Sequence, residues 1–276
     1  MKKTILTPVD FSKVGEIAIA HAAGIIETTK GDLLLFRVVK DSKELFATKR
    51  KMNRFRAKVQ EQYPKINVKS LLRIGDFFES IGHAALENNA ELIIMGTHGL
   101  KGLQFITGSR ALKVVSNSEV PIIVVQKDSK IKNGYKNILI PMTLDKNSKQ
   151  KLTYAKHIAQ YLNSKVFLLA PSEKDEFLRN KIERDLNFSK QYFDEANIPY
   201  ETEINEEIYT LDSYIEYAKE KDIDLIVFMN QPESAYIIFD DRVQRVITNK
   251  ANIPVLLINP RTTSFVTIFG NYSGQG

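Results

Sequence analysis

At 276 residues the chain is long enough for two domains of ordinary size, and an apolar share of 43% supports packed cores rather than disorder. It contains no cysteine, which excludes disulfides, thiolate metal sites and cysteine nucleophiles, and no apolar run approaches the ~20 residues of a membrane span. The net charge of +6 is modest for this length. With no nucleic-acid motif beside it, it gives little reason to expect a nucleic-acid partner.

The opening MKKTILTPVD has its apolar part broken by Pro8 and Asp10, too short for a signal peptide, so a cytoplasmic location is expected. Residues 4–9 read as a short buried strand. From Ser12, a plausible N-cap, apolar residues recur at helical spacing until Lys30–Gly31. DLLLFRVV at 32–39 is too continuously apolar for a half-exposed strand and suits a sheet covered on both faces. A long helix is predicted over about 42–62. It carries Lys49, Arg50, Lys51, Arg54, Arg56 and Lys58 interleaved with Met52, Phe55 and Val59, the pattern of an amphipathic helix with a solvated basic face. A strand near 66–74, a helix from Asp76 to about Asn88, a strand at 91–96, a helix near 109–117 and a strand at 121–126 complete the half. Strands alternating with helices imply right-handed crossovers and a parallel sheet.

The polar segment 127–136 reads as a linker, after which the pattern returns. KTILTPV at 3–9 reappears as KNILIPM at 136–142, ELIIM at 91–95 as DLIVF at 224–228, and VPIIVV at 120–125 as IPVLLI at 253–258. All three share an offset of 133, which points to domain duplication. The expected units are 1–127, 136–260 and a C-terminal tail, 261–276, whose Phe265, Val266, Ile268 and Phe269 suggest docking rather than solvation. Residues 120–126 and 253–259 are both β-branched and apolar. Pairing them antiparallel would cover two open edges and join the halves as a pseudo-dimer.

Four of the 13 glycines, Gly96, Gly99, Gly102 and Gly108, fall between the strand at 91–96 and the helix near 109–117. A glycine-rich turn into a helix N-terminus converges backbone N–H groups on one spot, the usual way to hold phosphate; a tight loop with no ligand fits the spacing equally well. The copy abandons these glycines: Gly96 becomes Met229, Gly99 becomes Pro232, Gly75 becomes Ile208, and Asp10 becomes Thr143. Walker A and G-x-G-x-x-G patterns are absent, as is a G-x-S-x-G elbow. His21, His83 and His157 lie in helical stretches as structural or surface residues, whereas His98 sits inside the glycine loop. Nothing marks a metal site or a catalytic base.

ILTPVDFS at 5–12, LLLFRVV at 33–39 and MGTHG…GS at 95–109 resemble the universal stress protein family, in a tandem arrangement covering nearly the whole chain. The resemblance implies two doubly wound α/β domains of the adenine nucleotide α-hydrolase-like type. It implies an adenine nucleotide, ATP or ADP, with or without Mg2+, held as a regulatory ligand in a stress response. Carried over by position, Asp10 and Val38 would meet the adenine, and Gly96, Gly99, Gly108 and Ser109 would cradle the phosphates. The family's binding motif is Gly-x2-Gly-x9-Gly-[Ser/Thr], whereas here eight residues, Leu100 to Thr107, separate Gly99 from Gly108. Two other readings stand beside this one: a nucleotide-free scaffold for dimerisation, including a homodimer, and a weak ATPase.

Overall fold

The computed structural model describes residues 3–97, 118–130, 134–142, 148–230 and 241–259. The first half contributes β1 (Thr4–Pro8), α1 (Lys13–Thr29), β2 (Asp32–Val39), α2 (Ser42–Gln62), β3 (Asn67–Ile74), α3 (Phe77–Glu87), β4 (Ala90–Thr97) and β5 (Ile122–Gln126). The second contributes β6 (Asn137–Pro141), α4 (Ser148–Leu162), β7 (Lys165–Pro171), α5 (Glu176–Asp194), β8 (Tyr200–Asn205), α6 (Leu211–Glu220), β9 (Leu225–Met229), α7 (Asp241–Ile247) and β10 (Val255–Ile258). The helix predicted near 109–117 lies outside the described residues, as does the tail from 260 onward.

Local chemistry sets the boundaries. Ser12 caps α1 by accepting from the Gly15 N–H, and Lys30 closes the helix in the left-handed conformation, donating its N–H to the Ile26 carbonyl. Asp41 and Asp76 cap α2 and α3 in the same way. α2 buries only Thr48, Met52 and Val59, with Phe55 packed partly against them; Lys49, Arg50, Arg54 and Lys58 are exposed, whereas Arg56 reaches β3 and Lys51 lies over the Phe11 ring. No described helix is long and apolar enough to cross a membrane.

The ten strands among the described residues form one sheet in the order β3-β2-β1-β4-β5-β10-β9-β6-β7-β8. Within each half every neighbour pair is parallel. At the centre β5 and β10 run antiparallel, with Val255 opposite Val124, Leu256 opposite Ile123 and Leu257 opposite Ile122. This is the edge-to-edge join anticipated from the two final apolar runs. Two apolar layers therefore continue across both halves, one on each face. Ile123 and Leu256 belong to the layer under α1 and α4; Val124 and Val255 belong to the layer under α3 and α6. Each fully buried aliphatic side chain here stabilises by roughly 1.5–3 kcal/mol, so the join is part of the core.

Polar contacts lock the same boundary. Gln126 Nε2 donates to the Asn249 carbonyl at 2.9 Å, Ser129 Oγ to the Asn252 carbonyl at 2.7 Å, and Asn259 Nδ2 to the Ser118 carbonyl at 2.8 Å. The polar segment 127–136 is consequently more than a tether. Ser129 and Tyr135 are buried, the Tyr135 hydroxyl lies 3.1 Å from His21 Nδ1, and the two rings stack with centroids 5.8 Å apart. Sequence polarity hid this, because a single aromatic in a lysine-rich stretch gives no periodic signal.

Candidate functional site

In the first half the chain winds outward from β1 through β2 to β3, then crosses to β4 on the other side of β1. That reversal between β1 and β4 is the topological switch point, where doubly wound sheets leave a crevice beyond the carboxyl ends of their strands. Asp10 follows β1, Val38 lies near the end of β2, and Gly96 lies near the end of β4. Gly99, Gly108 and Ser109 lie outside the described residues, as does His98.

Asp10 is exposed, with Oδ1 accepting from the Ser12 N–H at 2.9 Å and from Ser12 Oγ at 2.5 Å. Ser12 Oγ in turn accepts from the Gly15 N–H at 3.2 Å. A Cβ at Gly15 would stand 2.9 Å from Asp10 Oδ1, so the glycine lets the carboxylate lie against the first turn of α1, where the helix dipole favours negative charge. Among the described residues Oδ2 accepts no hydrogen bond.

The loop carrying Asp10 is held by residues that sequence reasoning passed over. Phe11 sits at φ 63°, a left-handed conformation costly for a non-glycine residue. Its ring is clamped with Arg37 at 5.0 Å, Lys51 at 4.1 Å and the edge-on Phe55 ring at 5.2 Å. Arg37 Nη1 also donates to the Val9 carbonyl at 3.0 Å, fastening the β1–α1 loop to β2. A positive φ at an aromatic residue leaves no mark in a sequence; the Asp-Phe-Ser string was the only available sign.

Val38 owes its interest to its backbone. The Val9 N–H donates to the Phe36 carbonyl at 2.7 Å, and this is the last bond between the β1 segment and β2. In a strand, residues two apart direct their N–H and C=O to the same side. Val38 therefore points both groups toward the β1 side, beyond that strand's end. Val39 points the other way, its carbonyl accepting from the Gly75 N–H at 3.1 Å. One N–H and one C=O, side by side at a strand end, suit a flat heterocycle with neighbouring acceptor and donor atoms.

Gly96 has a different reason to be glycine from the one its motif suggests. It is buried in β4, and a Cβ there would stand 2.7 Å from Val14 Cγ2 and 2.8 Å from the Val14 carbonyl oxygen. The close approach of α1 to β4 is enough to require it. Among the described residues no cluster of His, Asp or Glu is placed to hold a metal.

The same end of the second half is built from other residues. The Met142 N–H donates to the Leu169 carbonyl at 2.7 Å, reproducing the Val9–Phe36 bond, so Pro171 occupies the place of Val38. Proline has no N–H to offer. Lys151 replaces Ala18 and, buried on α4, donates to the Pro141 carbonyl at the end of β6. Met229 stands where Gly96 does, and Thr143, at the place of Asp10, lies outside the described residues.

Comparison with known proteins agrees with this architecture. Residues 1–126 match the model of the universal stress protein family. A universal stress protein of Methanocaldococcus jannaschii is 25% identical over 158 residues, spanning 46% of this chain and 96% of that protein. A universal stress protein structure from Archaeoglobus fulgidus superposes with a TM-score of 0.70 at 15% identity, covering 93% of this chain and 96% of its own. A putative universal stress protein from Pseudomonas aeruginosa gives 0.64 at 15% identity, covering 94% of each chain. These two likenesses show the fold across both halves, and the family model locates the sequence signature in the first. Residues 1–126 thus carry the match to the universal stress protein family, and the likeness in fold to universal stress protein structures extends over both halves.

Proposed function

We propose that the first half binds one adenine nucleotide, ATP or ADP, as a regulatory ligand, and that the second half binds none. The observation that carries this reading is the Val38 backbone, aimed past the end of β1, at the same end of the sheet as the exposed Asp10 that follows β1. In this arrangement the adenine edge meets the Val38 N–H and C=O, and Asp10 contacts the nucleoside next to it. The family motif implies that Gly99, Gly108 and Ser109 meet the phosphates through backbone N–H groups. Gly96 serves by letting α1 and β4 close together.

A nucleotide-free scaffold is the second reading. The shortened Gly99–Gly108 spacing and the fully packed join between the halves favour it. Calorimetric titration of the intact chain with ATP and with ADP separates the two. One site per chain is expected from the first reading, and no heat at any nucleotide concentration from the second.

A further inference from the structure

Among the described residues the sheet ends in β3 on one side and β8 on the other, and these two edges differ in charge. β3 carries Lys69, paired within the chain with Asp32, and Arg73, paired with Glu87; β8 carries Glu201, paired with Lys165, and Glu203, 3.8 Å from Lys221, and leads into Glu206 and Glu207. We propose that copies of this chain join end to end, the β8 edge of one pairing antiparallel with the β3 edge of the next.

The direction follows from the central join. Because β5 and β10 are antiparallel while each half is internally parallel, β3 and β8 point in opposite directions. A second copy continuing the same sheet thus meets the first as an antiparallel pair.

Hydrogen bonding selects the register. On β3, Gln60 Oε1 accepts from the Val68 N–H at 3.1 Å and Arg56 Nη1 donates to the Val68 carbonyl at 3.4 Å, so Val68 faces outward and α2 covers it. By alternation Ser70, Leu72 and Ile74 also direct their backbone groups outward. On β8, the Pro199 and Asn205 carbonyls accept from the Val166 and Ser172 N–H groups of the β7 side, so Tyr200, Thr202 and Ile204 face outward. Three outward residues on each edge match in one way: Ser70 with Ile204, Leu72 with Thr202, and Ile74 with Tyr200. Shifting by two residues toward Val68 would run into the groups α2 already covers.

That register also places the charges. Arg73 lies on the sheet face shared with α3, where it pairs with Glu87, and Glu203 lies on the face shared with α6, where it accepts from the Tyr217 hydroxyl at 2.9 Å. α3 and α6 cover the same face of the sheet. Arg73 and Glu201 then fall directly opposite each other in a non-hydrogen-bonded pair, where side chains approach closely. Ile74 and Ile204, both unusually exposed at 45% and 47%, come under cover on the other face. The symmetric alternatives are penalised. Pairing β8 with its own copy sets Glu201 against Glu203, and pairing β3 with its own copy sets two Arg73 side chains on a diagonal. Charge on these edges thus disfavours like-with-like joining and favours the unlike join.

Sedimentation velocity on the intact chain tests this. The expected result is a mass that climbs with protein concentration at low salt, without stopping at a dimer, and falls at high salt. Glu201→Lys or Arg73→Glu alone should weaken association about tenfold, the ~1.4 kcal/mol expected when an attractive cross-strand pair becomes repulsive. An equimolar mixture of the two variants should recover it, because each altered edge then meets its complement. Thr202→Pro, which deletes an outward donor and leaves pairing to β7 intact, should abolish association with a near-native melting temperature. A monomer at every concentration, a dimer indifferent to all three variants, or a mixture of folded variants that fails to recover would each overturn the proposal.

Discussion

The two halves carry one pattern written twice, and they diverge at one end of their sheets while agreeing at the join. At the join each contributes a run of fully buried aliphatics, Ile122–Val125 facing Val255–Ile258. At the carboxyl ends the first half has Ala18, Val38 and Gly96, where the second has Lys151, Pro171 and Met229. Packing constrains the first set of positions in both copies, because a charge or a void there would cost both halves at once. The strand ends carry no such shared constraint. The surface the halves share is apolar in both copies, whereas their strand ends have diverged.

The largest effect should come from attacking the join. Ile123→Glu places a carboxylate in a fully buried site and should remove about 4 kcal/mol or more. We expect the intact chain to melt in one calorimetric transition and the variant to show two. A single transition at nearly the wild-type temperature would mean that the halves are coupled elsewhere.

The next effect is acid sensitivity. Burial pushes the His21 imidazole down from its ordinary 6.5 to about 4, partly opposed by hydrogen bonding to the Ser129 backbone. A depressed histidine pKa means that the unfolded chain takes up the proton first. Its contribution is therefore intact above pH 6.5 and lost as pH falls from 6.5 toward 4, by ~3 kcal/mol at most. His21→Gln, which keeps an acceptor for Tyr135, should flatten the melting temperature over that window relative to wild type. Parallel pH profiles would show that His21 is not responsible.

Gly96→Ala should follow, lowering stability by about 2 kcal/mol because the new methyl overlaps the Val14 carbonyl and side chain. The loss should appear in thermal melts without nucleotide, which distinguishes packing from ligand contact. Asp10→Asn should be mildest, about fivefold in nucleotide affinity (~1 kcal/mol), with little change in melting because the amide oxygen can still accept from Ser12.

Much of this was legible in the sequence. Apolar runs bounded by Pro8, Gly31 and Pro121 located strands, and the 133-residue offset located the copy and the two strands that join. Those signals are periodic, so they survive without knowledge of contacts. The remainder depended on relations that periodicity does not encode. Val38 matters because β1 stops two residues short of it, Gly96 because Val14 presses on it, and Tyr135 because it stacks on His21 of α1. Phe11 holds a left-handed turn that only its clamp by Arg37, Lys51 and Phe55 explains. The phosphate side of the site, Gly99, Gly108 and Ser109, rests on the motif alone.

In the proposed binding mode the first half takes nucleotide because its β2 end offers a backbone N–H where the second half has Pro171. Native mass spectrometry of the intact chain with ATP, beside Val38→Pro, tests it most directly. The variant imports the second half's own residue at the equivalent position, so the fold has a precedent for it. The account predicts one ATP per wild-type chain and at least tenfold weaker binding in the variant, ~1.4 kcal/mol for a lost donor, with melting little changed. Two nucleotides per chain, or binding unaffected by Val38→Pro, would contradict it.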